Sequence, residues 1–215
     1  MIIGIVGFIG SGKGTVGDII WQEYGFKKDS FAKPLKDCVS IIFGWDRKML
    51  EGDTDESREK REQIDEYWTS VTGMEITPRL ALQLFGTECI RDVFSPNVWS
   101  ASLIKRNEGE DVVVVDCRFQ NEIDSIKEAG GYVIRVKRGN EPEWYDSYME
   151  LLNKKDFWTI GTLREKGDFP HISETDWIGS DFDYIINNNG TLNDLNNKID
   201  EMINALFVDE ERRMI

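Results

Sequence analysis

The sequence predicts an α/β protein built on a doubly wound parallel sheet, with a phosphate-binding loop after its first strand. Three observations carry this. Residues 1–6 (MIIGIV) form a short apolar run, rich in β-branched residues, that stops at Gly7. A glycine-rich stretch follows directly and leads into a helical pattern. Strand-like and helix-like segments then alternate, the order that places helices on both faces of a parallel sheet.

Taken in order, residues 15–24 carry Val16, Ile19, Ile20 and Tyr24 at helical spacing, and Gly25 stands where a C-cap belongs. A short strand is expected within 26–31. A helix over 35–43 follows, with Leu35, Cys38, Val39 and Ile42 on its apolar face. Composition then changes from Gly44 to about Pro78. Residues 52–67 (GDTDESREKREQIDEY) are almost wholly charged or polar, the pattern of a solvated helix with i,i+4 pairs or of a mobile insertion. Pro78 opens a helix whose apolar stripe is Leu80, Leu82, Leu84 and Phe85, interrupted at Gly86. Residues 112–115 are four valines ending at Asp116, a buried strand of the parallel-sheet type. A helix over 123–129 closes at Gly130-Gly131, and strands follow at 132–136 and 184–186. Residues 192–206 place Leu192, Leu195, Ile199, Met202, Ile203 and Leu206 on one face of a terminal amphipathic helix. The stretch 139–182, with Trp144, Tyr145, Trp158 and Trp177, is too long for a plain connection. The expectation is one domain over 1–215, with insertions at about 44–78 and 139–182.

Composition narrows the function classes. The 215 residues are 40% hydrophobic and 31% charged, ordinary for a globular chain, with no window approaching a membrane span. Residues 1–6 lack a basic flank, so no signal peptide is expected and the cytoplasm is the predicted location. The formal net charge of −14 argues against a dedicated nucleic-acid binder. It leaves room for an anionic small molecule, because a few convergent Arg and Lys side chains dominate a cleft locally. Cys38, Cys89 and Cys117 form no C-x-x-C pair, and His171 is the one histidine, so a zinc site is not expected.

The strongest local signal is Gly7-Phe8-Ile9-Gly10-Ser11-Gly12-Lys13-Gly14-Thr15. Between a strand and a helix, such a loop turns successive N–H groups toward phosphate oxygens, and the helix N-terminus adds partial positive charge. Lys13 supplies a mobile charge for the β- and γ-phosphates. The spacing, with Gly14 between Lys13 and Thr15, resembles the loop of adenylate kinase and other nucleoside monophosphate kinases. Gly10, Ser11, Gly12, Lys13, Gly14 and Thr15 are therefore the expected ATP-binding residues. Phosphoryl transfer to a phosphate needs no strong general base, so the remaining chemistry is positioning and charge neutralisation. Asp116, at the end of the valine strand, is placed to orient the waters of Mg²⁺, with Thr15 a weaker metal candidate. Arg118 lies where open α/β sheets bind ligands.

Further segments sharpen the resemblance. Phe31-Ala32-Lys33-Pro34-Leu35-Lys36, Arg79 with Gln83 and Gly86-Thr87-Glu88, Asp116-Cys117-Arg118-Phe119-Gln120-Asn121-Glu122, His171-Ile172-Ser173-Glu174, and Asp183 through Thr191 resemble the bacteriophage deoxynucleoside monophosphate kinase family. The resemblance runs in order over nearly the whole chain. It implies a P-loop NTPase fold of nucleoside monophosphate kinase type, with 44–78 on the acceptor side and 139–182 as a lid. It implies ATP, Mg²⁺ and a deoxynucleoside monophosphate as ligands, no nucleic acid, no membrane, and the host cytoplasm for a phage-encoded protein. A homodimer is compatible with it. Lys36, Arg58 (with Arg61 one turn away), Arg79, Gly86, Thr87, Trp99, Asp116, Arg118 and Glu122 are the implied acceptor residues. Catalysis is implied for Lys13, Arg118 and Asp116. Asn187 and Gly190, in the Asn-Asn-Asn-Gly-Thr turn, are implied on the adenine side. That turn also reads as an ordinary Asn-Gly turn into a Thr-capped helix. Arg138 and Arg164 are candidate lid arginines or, equally, ordinary surface residues, and His171 is either structural or part of the lid.

Asn197-Lys198-Ile199-Asp200 spells a guanine-reading motif, but Ile199 belongs to the apolar stripe of a helix, so a GTPase switch is rejected. Two alternatives stand beside the kinase reading. One is another small-molecule P-loop kinase, such as a dephospho-coenzyme A kinase. The other is a nucleotide-binding interaction protein without turnover.

Overall fold

A computed structural model describes residues 1–213. Five parallel strands form one sheet in the order β2-β3-β1-β4-β5. They are β1 (Ile2–Val6), β2 (Lys27–Asp29), β3 (Val112–Val114), β4 (Tyr132–Lys137) and β5 (Tyr184–Asn187). Every residue of β1 and β3 is buried, which is why both read as unbroken apolar runs. The edge strand β2 instead exposes Lys27 and Lys28, the charge that keeps an open edge from pairing with another chain.

Alternation along β1 decides which helices cover which face. Ile3 and Ile5 join the core formed with Val16, Ile19 and Ile20 of α1 (Lys13–Tyr24) and with Leu195, Ile199, Met202, Ile203 and Leu206 of α11 (Leu192–Arg213). Gly4 points the other way, where an added Cβ would stand 2.5 Å from Ile126 Cδ1 of α7 (Gln120–Glu128). The sheet is therefore doubly wound, as the sequence predicts. One correction falls on α11: Leu192, counted in its apolar stripe, is 62% exposed because it sits in the first turn, before the helix meets the sheet.

The chain divides into two compact units, residues 1–30 with 104–215, and Phe31–Leu103. The first holds the whole sheet. It also holds α8 (Tyr145–Asn153), α9 (Phe157–Glu165) and α10 (Ile172–Thr175), which the sequence left unassigned within 139–182. Where its two segments break off, Asp29 is clasped: Arg106 Nε and Nη2 donate to its carboxylate at 2.8 and 3.1 Å, Asn107 Nδ2 at 2.6 Å and the Ser30 N–H at 2.8 Å. Burial works to raise the Asp29 carboxyl, but these donors hold it below its ordinary range.

The second unit is helical. It contains α2 (Lys33–Phe43), a 3₁₀ turn (Met49–Glu51), α3 (Asp55–Glu62), α4 (Glu66–Thr72), α5 (Pro78–Leu84) and a wide π-type turn (Phe85–Arg91). The unit boundary falls within α6 (Val98–Arg106), a helix not anticipated from the sequence. A small core of Val39, Leu50 and Ala81 is flanked by Leu35, Phe43, Trp45, Met49, Leu82 and Phe85. Two expectations are corrected by it. The buried stripe of α2 is Leu35, Val39 and Phe43, four apart, while Cys38 and Ile42 face outward. In α5 it is Ala81 and Pro78 that are buried, and Leu80, Leu82, Leu84 and Phe85 are only half so. The charged stretch forms two short capped helices. Thr54 and Ser57 cap α3, which buries no residue, and Asp65 caps α4. Among the described residues no helix is long and apolar enough to cross a membrane.

Candidate active site

The glycines of the loop between β1 and α1 adopt left-handed backbone. Gly7 lies at φ 145° with an added Cβ 2.3 Å from the Val136 carbonyl, and Gly12 at φ 99° with one 2.3 Å from Asn188 Nδ2. Both positions require glycine sterically as well as conformationally. Lys13 Nζ folds onto the loop and donates to the carbonyls of Gly7 at 2.6 Å and Phe8 at 2.9 Å. Burial lowers its pKa from 10.5 to about 8, repulsion from Arg118 adds to the fall, and Glu174 opposes it. Gly14 and Thr15 are exposed in the first turn of α1, and Ser11 is buried with its hydroxyl unpartnered.

At the carboxyl end of β3 lie Asp116, half-buried, and Arg118, whose Nη1 pairs with Glu174 Oε1 at 2.8 Å. Glu122 is buried, and its Oε2 accepts the N–H groups of Arg118 at 2.8 Å and Phe119 at 3.0 Å, closing the first turn of α7. Burial, with the charges of Glu122 and Asp116, pushes the Cys117 thiol up, which leaves it inert. No cluster of three metal-ligating side chains occurs among the described residues. A single carboxylate at Asp116 and a hydroxyl at Thr15 still fit Mg²⁺, which keeps several waters and takes its other oxygens from phosphates.

The turn after β5 braces the loop. Asn188 Nδ2 donates to the Ser11 carbonyl at 2.9 Å, and its backbone N–H to Lys137 at 2.7 Å. The Asn187 carbonyl accepts Lys198 Nζ at 2.6 Å. Thr191 and Asp194 cap α11 reciprocally, the ordinary capped-turn reading, and an added Cβ at Gly190 would collide with Asp194. The sequence reading chose Asn187 and Gly190 and missed Asn188. Three consecutive asparagines after the last strand were the available signal.

Residues 139–182 pack on the loop through aromatic rings. Phe8 lies 4.9 Å from Trp177, 5.6 Å from Trp144 and 6.0 Å from Tyr145, centroid to centroid. Arg135 of β4, opposite Val6, is buried among Tyr145, Trp177 and Phe182 and pairs with Glu141 at 2.7 Å. A lone arginine within an otherwise apolar strand was the sequence signal for it. A cavity of about 30 Å³ is lined by Phe8, Ser11, Arg135 and the exposed Arg138, among others. Arg164, a candidate lid arginine, is held by local hydrogen bonds. Its guanidinium donates to the Pro170 carbonyl at 3.1 Å and the Thr175 hydroxyl at 3.0 Å. His171 is the N-cap of α10, accepting the Ser173 N–H.

In the second unit Lys36 pairs with Glu51 at 2.5 Å, and Glu51 also receives Arg47. Burial works to raise the Glu51 carboxyl, and the two cations hold it low. Arg58 is exposed, with Nη1 on Asp55 at 2.7 Å and Nε on the Gly52 carbonyl at 3.0 Å. Arg61 differs. Its Nε is buried without a partner, and Nη1 reaches only the Leu50 carbonyl at 3.4 Å. Burial depresses its pKa, and neighbouring Arg79 and Arg58 add to this while Glu62 opposes it. Arg79, exposed, pairs with Glu62 at 2.9 Å. Gly86 is buried, with an added Cβ 3.0 Å from Leu35, and its carbonyl accepts Trp99 Nε1 at 3.0 Å; Thr87 is exposed.

No protein-family model matches the chain. A protein of Acanthamoeba polyphaga mimivirus named "Putative deoxynucleotide monophosphate kinase" is 32% identical over 173 residues, 73% of this chain and 85% of the relative. Among solved structures, shikimate kinase from Aquifex aeolicus aligns over 98% of both chains at 14% identity and TM-score 0.40. Dephospho-CoA kinase from Campylobacter jejuni covers 95% of this chain and 96% of its own at 17% identity and TM-score 0.41. TM-scores below 0.5 add no weight to an assignment. The sequence relative does, and it meets a phosphate loop with its lysine in place, at the end of the central strand of a parallel sheet: the chain belongs to the deoxynucleotide monophosphate kinase family and is an ATP-dependent phosphotransferase acting on a small molecule.

Proposed function

We propose that the chain transfers the γ-phosphate of ATP to a deoxynucleoside monophosphate, giving ADP and the deoxynucleoside diphosphate. The observation that carries the reading is the placement of Lys13 and Arg118 beyond the carboxyl ends of the adjacent parallel strands β1 and β3, beside the glycine-rich loop. An oxygen of the acceptor phosphate attacks the γ-phosphorus, and the bond from that phosphorus to the β–γ bridging oxygen breaks. The acceptor is already anionic, so no proton need be removed, and the barrier falls through alignment and charge neutralisation. Lys13 leaves its carbonyl partners for the β- and γ-phosphates, and Arg118 neutralises the transferring group. Mg²⁺, when bound, supplies further positive charge on the phosphates, with Asp116 orienting its waters. Arg138, Asn187 and Gly190 are assigned to the nucleotide side, where Asn188 braces the loop.

The acceptor side is assigned to Lys36, Arg58, Arg79, Gly86, Thr87 and Trp99 of Phe31–Leu103, with Asp116, Arg118 and Glu122. Arg61 joins them because no carboxylate among the described residues forms an ion pair with it. Within one functional domain, 44–78 is the acceptor insertion and 139–182 the lid. The test is a coupled assay of ADP formation over the four standard deoxynucleoside monophosphates and their ribose counterparts. Turnover dependent on an added deoxynucleotide is expected. ATP consumption indifferent to every monophosphate overturns the reading.

A further inference from the structure

Glu174 has no part in the reaction as written, yet its carboxylate pairs directly with Arg118. Its Oε1 accepts Arg118 Nη1 at 2.8 Å, and its charge is felt at Lys13 together with that of Arg118. The short helix α10 that carries it is pinned from several sides. Trp177 Nε1 donates to the Glu174 carbonyl at 3.0 Å, and the Trp177 ring is buried 4.9 Å from Phe8 of the phosphate loop. Asp176 accepts the Gln120 N–H at 2.9 Å, and Ser180 donates to the Gln120 side chain at 2.7 Å. His171 caps the helix at its start. A carboxylate is thus held rigidly against the arginine expected to meet the transferred phosphate.

We propose that Glu174 is a positioning residue, an internal counter-anion that holds Arg118 beside the phosphate loop until the ATP phosphates displace it. The argument rests on the assignment of Arg118 as a phosphate ligand. A half-exposed guanidinium without a partner would sample many rotamers. Held at 2.8 Å by a pinned carboxylate, it is ordered before ATP arrives. The exchange of a carboxylate for a phosphate then releases Glu174 to solvent on its exposed side. It makes ATP binding weaker than it would be with Arg118 free, and it keeps Arg118 aimed at the loop.

The test is a double-mutant cycle on ATP affinity, read by calorimetry with wild type, Glu174→Gln, Arg118→Ala and the double variant. A surface pair of this exposure is worth up to about fivefold in affinity. Glu174→Gln is therefore expected to tighten ATP binding severalfold, and the same change in the Arg118→Ala background to leave affinity unmoved. Weaker or unchanged binding in Glu174→Gln, or an equal change in both backgrounds, overturns the proposal. A merely structural Glu174 would lower the melting temperature and leave the cycle without coupling. If the glutamine variant does not fold, Glu174→Asp carries the test. The shorter side chain strains the pair but keeps the charge, so a dissociation constant below wild type is expected and one at or above it refutes the role. Lys13→Ala serves as the control. If it does not weaken ATP binding, the phosphate-loop assignment itself fails, an outcome separate from failure at Glu174.

Discussion

Replacing Lys13 by methionine removes the ammonium while keeping a flexible chain of similar length, and it separates what Lys13 does for ATP from what it does to the fold. A pKa lowered from 10.5 to about 8 means that the charged form is disfavoured by folding, with a ceiling of about 3 kcal/mol. The amine is partly solvated, which reduces that figure. Two hydrogen bonds, to the Gly7 and Phe8 carbonyls, are also lost, at about 1 kcal/mol each. The net expectation at pH 7, without nucleotide, is a gain of at most about 1 kcal/mol, or a melting temperature up to about 2–4 °C above wild type. The sign can be checked by pH. The folded pKa lies below the unfolded one, so between about 8 and 10.5 the unfolded chain binds more protons and wild-type stability rises with pH. The variant's advantage should therefore shrink as pH is raised from 7 to 10. Thermal melts followed by circular dichroism, with and without ATP, give all the numbers. ATP should raise the melting temperature of wild type and leave that of the variant unchanged. A folded variant that melts below wild type at pH 7, with a gap that does not change with pH, would refute the account of Lys13 as a strained, partly desolvated charge.

Arg61→Ala should raise the Michaelis constant for the monophosphate more than Arg58→Ala, because Asp55 already neutralises Arg58 and no carboxylate pairs with Arg61. The constant for ATP should barely move in either, and unchanged constants in both would remove these arginines from the acceptor side. Asp29→Asn should lower stability by about 3 kcal/mol, or about 6–12 °C, by removing the buried carboxylate onto which Arg106 and Asn107 converge. The folded carboxyl is held low, so its contribution is present above the unfolded pKa and lost as pH falls below it. A melt in which wild type and variant lose stability in parallel from pH 6 to 3 contradicts that. Deoxyguanylate should exceed guanylate in specificity constant by about 10²-fold, the discrimination expected of an acceptor pocket that leaves a 2′-hydroxyl unsatisfied. Equal constants for the two would discard that selection.

The strands, the phosphate loop and the doubly wound class were legible in the sequence because each is signalled locally. β1 and β3 are covered on both faces, so their runs are unbroken, and glycine spacing places the loop without reference to distant residues. The buried face of α2 was misread because Leu35, Val39 and Phe43 form its stripe only against a core that includes Leu50 and Ala81, from later elements. The contacts that shape the candidate site join residues far apart in the chain. Arg118 and Glu174 are 56 residues apart, Arg106 and Asp29 are 77, and Asn188 and Ser11 are 177. No periodicity encodes such pairs. They follow from the parallel order of the sheet, which brings the carboxyl ends of β1, β3 and β4 together and returns the chain after β5 to the phosphate loop. The sequence by itself determined where the glycine-rich loop and Lys13 lie, because backbone curvature and a helix start are local properties. Only the tertiary structure decided that Arg118 pairs with Glu174, that Arg164 bonds to Pro170 and Thr175, and that no carboxylate among the described residues pairs with Arg61. The partner of a charge depends on what the fold brings within a few ångströms of it, and that distance is set by topology rather than by spacing along the chain.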